Sequence, residues 1–498
     1  MSLDVSQQLT ERLRRPGAER GLHFAGCWRP WSWLADAAGA IDAALVEFGV
    51  GRDQPVALVS RNRPAHVAAV TALSATHRTT CMIYSAQSPA AIAAEIERLS
   101  APAVLADAQD WTPETLAAVR AVGALGLAIS DDRANPVKVV EAPPAKRASG
   151  RKPLTPAIAF ELLSSGTTGA PKRFPLSWEA LNGVVAGAAA AYAGSDQHEA
   201  PLVMLHPLGN VAGVCYLAPA LAKGQPIVLL EKFTVEDWTR AVREHRPVRT
   251  ALPTAAVQMV LDARPPREDL ASLNLIAVGG AAISVDLHQA FEEAYGIPIL
   301  TAYGATEFGG VIANWTLDEY RRLGPAKRGS AGRPSPGASL RILDPETLAE
   351  VPVGQVGLLE ARVQRIGPDW IRTTDLASLD EDGFLYLHGR TDDAINRGGF
   401  KVLPAVVAAA LRSHPAVADA AVVGLPDPRL GEAPAAVVEL RTGAEPPSPQ
   451  DLEAFLRERL LAYQVPVRIK IVPTLPRNAS MKISLPEVRN LFALIPEE

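Results

Sequence analysis

The chain is 498 residues long, 48% apolar and 21% charged, with a formal net charge of −5. Two or three domains with ample core are expected at that length, and the mild acidity gives no electrostatic reason for nucleic acid or an anionic membrane as a partner. The three cysteines, Cys27, Cys81 and Cys215, lie far apart without metal-ligand spacing, which suits a reducing compartment and small core residues.

The opening MSLDVSQQLTERLRRPG lacks the apolar run of a secretory leader. The longest apolar runs, such as 211–222, are too short to cross a bilayer, so no transmembrane segment and a cytoplasmic location are expected. Across 30–130 helical and strand patterns alternate. WSWLADAAGAIDAALVEFGVG is apolar at helical spacing and ends on glycine; PVALVSRN, CMIYSAQ and AVLADAQ read as buried strands, with HVAAVTALSATH and AIAAEIERLSAP as the helices between them. Such alternation predicts a doubly wound α/β fold with a parallel sheet. Residues 136–157, rich in proline and basic residues, read as a loop.

The apolar run at 157–160 predicts a strand, and LLSSGTTGAPKRF follows at 162–174. Small residues after a strand can turn backbone N–H groups inward around an anion. Ser164, Ser165, Thr167 and Thr168 add hydroxyls, Gly166 and Gly169 add freedom, and Lys172 adds charge. The spacing is not that of a P-loop; taken alone, the run reads better as a flexible, hydroxyl-rich surface turn. Helix, strand and helix patterns then resume. NLIAVGGAAIS and IPILTAYGATE each read as a strand ending in a polar, glycine-rich turn, where ligands sit in doubly wound sheets.

In TAYGATEFGG, Tyr303 can stack on a purine and Glu307 can hold Mg²⁺ beside phosphates, although a buried tyrosine in an ordinary turn is an even rival. Gly279, Gly280 and Ala281 permit close approach to a flat ligand. After Gly329 short β-type segments predict a small β subdomain at about 329–391. From Asp392 the pattern returns to α+β. In IRTTDLASLDEDGFLYLHGRTDD, Asp375 can accept from two vicinal hydroxyls, with Arg390 near the same ribose or phosphate; the plainer reading is that Asp375 caps a turn. Lys482, in LPRNASMKIS, is by itself a solvated charge.

These four stretches, in this order and spacing over roughly residues 25–490, resemble the adenylate-forming superfamily of acyl-CoA synthetases, luciferases and peptide-synthetase adenylation domains. The resemblance implies an N-terminal domain of 1–391 and a mobile C-terminal domain of 392–498. It implies that a carboxylic acid and ATP react to acyl-AMP with pyrophosphate release, and that the coenzyme A thiol then displaces AMP. It makes Ser164–Lys172 the phosphate loop, Tyr303 the adenine-stacking residue within a nucleotide site of Gly280, Ala281, Ala302 and Gly304, and Asp375 and Arg390 the ribose contacts. By the same resemblance Thr306 would contact the α-phosphate, Glu307 would hold Mg²⁺, Lys482 matches the catalytic lysine and Asp392 the hinge. Gly398, Gly399 and Phe400 shape the tunnel for coenzyme A. The resemblance assigns Gly209, Asn210, Gly213, Val214, Gly279 and Gly304 to the acyl pocket.

The chain departs from the family pattern in places. Thr374 stands for glycine, Asn478 for threonine, Met481 for glycine, and the segment between Gly367 and Trp370 is short. The family's aromatic–histidine pair has become Gly209–Asn210, which predicts an enlarged pocket and a bulky, largely apolar acid from fatty-acid or secondary metabolism. No acidic residue awaits an amino-acid ammonium. Two alternatives are a stand-alone ligase loading a separate acyl carrier protein, and an impaired acyl-adenylate-binding relative; the persistence of Lys482 argues against the second. The sequence leaves the oligomeric state open, a homodimer included.

Overall fold

The computed structural model describes residues 4–15, 17, 19–144, 157–163, 173–191, 200–397, 400–478 and 480–493, with side chains of the helix Trp178–Ala191 described through 188. The expected alternation builds a seven-stranded sheet. From one edge to the other its strands are Val137–Glu141, Leu125–Ile129, Ala103–Asp107, Val56–Ser60, Thr80–Tyr84, Ile158–Leu163 and Arg173–Ser177. The inner strands pair in parallel and both edges close antiparallel. All five residues of Val56–Ser60 are buried, as strands covered by helices on both faces must be. The first edge corrects one expectation: VKVVE, taken as loop, extends and pairs with Leu125–Ile129, its β-branched residues meeting a waiting sheet edge.

A second sheet of five strands carries the predicted glycine-rich turns. Arg249–Pro253, Leu275–Gly279 and Ile299–Ala305 run parallel, and Gly310–Asn314 and Arg333–Pro334 continue antiparallel. A four-stranded sheet joins Leu202–Met204, Ile227–Leu229, Arg20–Phe24 and Cys27–Pro30. The β texture after Gly329 becomes an antiparallel sheet of Ala338–Leu343, Gly357–Val363, Trp370–Leu379 and Leu385–Arg390. Here Asp375 lies inside a strand, registered opposite Arg390, rather than capping a turn.

Beyond residue 394 a further sheet is centred on the long hairpin Val417–Asp427 and Gly431–Leu440, with Arg468–Val472 added in parallel. It has its own apolar core, in which Val407, Leu411, Val438, Leu452 and Leu456 are fully buried. Among the described residues no helix is long and apolar enough to cross a membrane.

Candidate active site

The strand Ile299–Ala305 delivers its end into a tight hairpin with Gly310–Asn314. A Cβ at Gly304 would stand 2.4 Å from the Gly310 carbonyl, so only glycine permits this approach. Tyr303 is thereby turned inward, 8% exposed, and its hydroxyl donates to Asp375 Oδ2. Burial first, and then the Asp375 charge, raise the phenol above its ordinary value, so it remains a neutral donor. Thr306 and Glu307 open the short turn Thr306–Phe308 that follows.

Arg390 reaches the same place from the neighbouring sheet. Its Nη1 lies 3.7 Å from Asp375 Oδ1, its Nη2 donates to Thr374 Oγ1 at 2.6 Å, and Nε and Nη2 grip Asp392 at 2.9 Å each. Thr374, where the family pattern has glycine, is therefore a hydrogen-bond partner of the arginine. The hydrogen bond from Arg390 is the main reason the Asp392 carboxyl lies below the usual carboxylate range.

Lys482 comes from the C-terminal unit, half-buried beside Gly280: a Cβ at that glycine, whose φ is +82°, would stand 3.5 Å from Lys482 Cε. Burial, then the Arg390 charge, push the ammonium below its ordinary pKa, while Asp375 and Glu307 pull it back up. Lys482, Arg390, Asp375 and Glu307 thus share one electrostatic site, although three of them lie in different sheets or turns. The turn holding Lys482 is built by Asn478, whose backbone N–H donates to the Lys482 carbonyl at 2.8 Å and whose Oδ1 accepts from Ser480 and Lys482 N–H at 2.9 and 3.1 Å. Met481, at the family's glycine position, has φ +60° in this turn.

Asn210 connects that turn to the expected acyl pocket. Its Oδ1 caps the helix Val211–Lys223 through Gly213 N–H at 2.7 Å, and its Nδ2 donates to Ser480 Oγ at 3.1 Å. Val214 is buried on the same helix, and Gly279 lies close to Ala302, 3.2 Å separating the Ala302 carbonyl from where a Cβ would stand. Thr254 Oγ1 donates to the Ala281 carbonyl at 3.0 Å. Phe400, 58% exposed, stacks on Tyr463 of the C-terminal unit. Ser164, Ser165, Gly166, Thr167, Thr168, Gly169, Lys172, Gly398 and Gly399 lie outside the described residues.

Several residues of the site had no sequence signal. Asn62, 5% exposed, donates to the His206 and Leu230 carbonyls at 3.0 and 3.2 Å and accepts from Leu208 N–H at 3.0 Å, fixing the segment that leads to Gly209. His206 stacks on Tyr216 at 5.0 Å, and burial pushes its imidazole down to about 4, so it is neutral. Tyr84 lies against Gly209, so the room expected from the missing aromatic at that position is shared with another ring. A cavity of about 340 Å³ opens between Asn62, Tyr84, His206 and Lys232 on one side and Ser480 and Met481 on the other.

The residues present fit a nucleotide and a divalent ion. Tyr303, Asp375 and Arg390 supply an aromatic face, an acceptor and a cation within one sheet junction. Glu307 is exposed and makes no ion pair or side-chain hydrogen bond among the described residues; no cluster of three metal-ligating side chains occurs among those residues either. One carboxylate completed by phosphates and water is the habit of Mg²⁺.

Comparison with known proteins identifies the family and the fold. The family model described as AMP-binding enzyme matches residues 9–366, and the model of the AMP-binding enzyme C-terminal domain matches 407–482. The 2-succinylbenzoate–CoA ligase of Geobacillus kaustophilus is 32% identical over 357 residues, covering 67% of this chain and 69% of that enzyme. The peroxisomal OPC-8:0-CoA ligase 1 of Arabidopsis thaliana is 32% identical over 344 residues, which is 65% of this chain but only 62% of the relative's length. ATP-bound MatB from Rhodopseudomonas palustris superposes with a TM-score of 0.83 at 22% identity, covering 99% of both chains. MenE from Bacillus subtilis in complex with ATP and magnesium gives 0.79 at 23% identity, over 97% of this chain and 99% of that one. The chain belongs to the AMP-binding, adenylate-forming enzyme family, among its AMP-forming acid–CoA ligases.

Proposed function

We propose that this protein activates a bulky, largely apolar carboxylic acid with ATP and hands the acyl group to the thiol of coenzyme A, acting in the cytoplasm. The observation that carries the reading is the convergence of Lys482 with Asp375, Arg390 and Glu307. In the first half-reaction a carboxylate oxygen attacks the α-phosphorus and pyrophosphate leaves. Two anions must meet, so fixed cations and N–H donors account for most of the rate. Lys482 bridges the carboxylate and the α-phosphate, Thr306 donates to the phosphate, and the phosphate loop from Ser164 to Lys172 grips the β- and γ-phosphates. Asp375 and Arg390 hold the ribose, and Tyr303 stacks on the base. Mg²⁺ held by Glu307 neutralises phosphate charge when bound.

In the second half-reaction the thiol sulfur attacks the acyl carbon, the thiol proton is lost and AMP leaves. Lys482 has no part in this step, so a rotation of residues 392–498 about Asp392 withdraws it and brings Gly398–Phe400 to the thiol tunnel. The acid class rests on the absence of the family's aromatic–histidine pair at Gly209–Asn210, in an acyl pocket assigned to Gly209, Asn210, Gly213, Val214, Gly279 and Gly304, where the Tyr84 ring stands beside Gly209.

Pyrophosphate release across a graded panel of acids, with and without coenzyme A, tests the whole reading. Large ring or branched acids are expected to outperform acetate and propionate, and thioester is expected by mass spectrometry only when coenzyme A is present. A panel led by acetate removes the acid assignment; thioester on a supplied acyl carrier protein but not on coenzyme A replaces the acceptor.

A further inference from the structure

We propose that Tyr84, at the end of the strand Thr80–Tyr84, is a specificity-determining residue that replaces the aromatic wall missing at Gly209, and that its ring sets the size of the acid's apolar body. The assignment rests on the acid-activating reading above. A Cβ at Gly209 would stand 3.0 Å from both Cδ1 and Cε1 of the Tyr84 ring and 2.5 Å from Ser60 Oγ. Neither neighbour is free to withdraw. Ser60 Oγ donates to the Ile83 carbonyl at 3.1 Å, and the Tyr84 hydroxyl donates to the Leu163 carbonyl at 2.8 Å.

The backbone of residue 209 cannot retreat either, because Asn62 holds His206 and Leu208 on its N-terminal side and Asn210 caps a helix on the other. Residues 84 and 209 therefore share one volume, and only one of them can carry a ring. Burial pushes the Tyr84 phenol up to about 12, so it stays a neutral donor fixed on Leu163, the residue before the phosphate loop. With its hydroxyl committed there, the ring presents an apolar wall to the cavity of about 340 Å³ that it lines.

The test uses the full-length enzyme with Tyr84→Ala, Tyr84→Phe, Gly209→Phe and the double substitution Tyr84→Ala/Gly209→Phe. Pyrophosphate release is measured over an acid series of increasing bulk, and Tm is measured for each variant. Tyr84→Phe keeps the ring and is expected to preserve the ranking of acids. Tyr84→Ala is expected to shift kcat/KM about tenfold or more from smaller towards bulkier acids, with no matching change in the KM for ATP. Gly209→Phe is expected to lower Tm, and the double variant to regain the part of Tm lost to the Tyr84 ring together with the wild-type ranking, the clash with Ser60 Oγ accounting for the remainder. An unchanged ranking in Tyr84→Ala, an effect confined to the KM for coenzyme A, or Tm changes that simply add overturns the proposal. A wild-type enzyme releasing no pyrophosphate with any acid overturns the acid-activating reading and the selectivity assigned to Tyr84 together; the Tm cycle then still separates a wrong reaction from a wrong pairing of 84 with 209.

Discussion

At the scale of single residues, the site depends on charges held close without full pairing. Lys482 has no carboxylate within salt-bridge distance among the described residues, and its pKa is lowered by burial and by Arg390. Lys482→Ala is expected to slow pyrophosphate release by about 10²–10³-fold, the cost of removing one positioned donor to a developing oxyanion, while thioester formation from supplied acyl-AMP largely survives. Equal loss in both half-reactions would contradict the role given to this lysine. The sign of the pH effect follows from the same environment. The ammonium form bridges the two anions, so adenylation falls as pH rises through the lowered pKa, and the alkaline limb lies below the ordinary lysine value of 10.5. A pyrophosphate-release profile from pH 6 to 11 reads that limb, and Lys482→Arg is expected to move it upward because a guanidinium keeps its proton.

At the scale of elements, the two strands that flank residues 164–172 are tied to a neighbouring helix by buried charge. Ile158–Leu163 and Arg173–Ser177 pair antiparallel, and Arg173 reaches Glu95 at 2.6 Å and Glu161 at 3.8 Å with only 10% of its side chain exposed. Burial raises the Glu95 pKa, but hydrogen bonds from Arg98 and Arg173 more than offset this and hold it below 4.5. Arg173→Ala removes the cation these two carboxylates share, with an expected cost of about 3 kcal/mol or more, as for other broken buried pairs. Thermal melts check it. A carboxyl with a depressed folded pKa stabilises fully above its unfolded value and loses that contribution as pH falls through the folded one. Melting of the wild type should therefore worsen more steeply below pH 4.5 than that of Glu95→Gln. None of this was legible in the sequence, where Arg173 follows Lys172 as one more basic residue; its partner on 89–99 is 78 positions away.

At the scale of the whole molecule, the turn that holds Lys482 meets the segment that precedes the helix Val211–Lys223. Asn210 of one and Ser480 of the other share a hydrogen bond of 3.1 Å, and Met481 packs against the apolar cluster around Val278 and Phe291. Ser480→Ala removes that bond without disturbing the helix cap made by Asn210. A net hydrogen bond of about 0.5–1.5 kcal/mol predicts a slowing of adenylation by several-fold and an unchanged thioester step. Asp392→Pro, which fixes φ near −65° and also removes the carboxylate that Arg390 grips, should abolish thioester formation while slowing pyrophosphate release no more than Asp392→Ala does. Single-turnover measurement of each half-reaction distinguishes the two variants.

The amino-acid sequence by itself determined the alternation of strand and helix in the first half and the stretches that hold Tyr303, Glu307, Asp375, Arg390 and Lys482. Hydrophobic period and clustered glycine, threonine and acidic residues are local properties that a chain displays before it folds. Only the tertiary structure decided that Asp375 lies within a strand facing Tyr303, that Thr374 serves Arg390, and that Tyr84 occupies the space left by Gly209. Those are pairings between segments far apart in the chain, created by sheet register and by the exclusion of one side chain by another, and no local pattern encodes them.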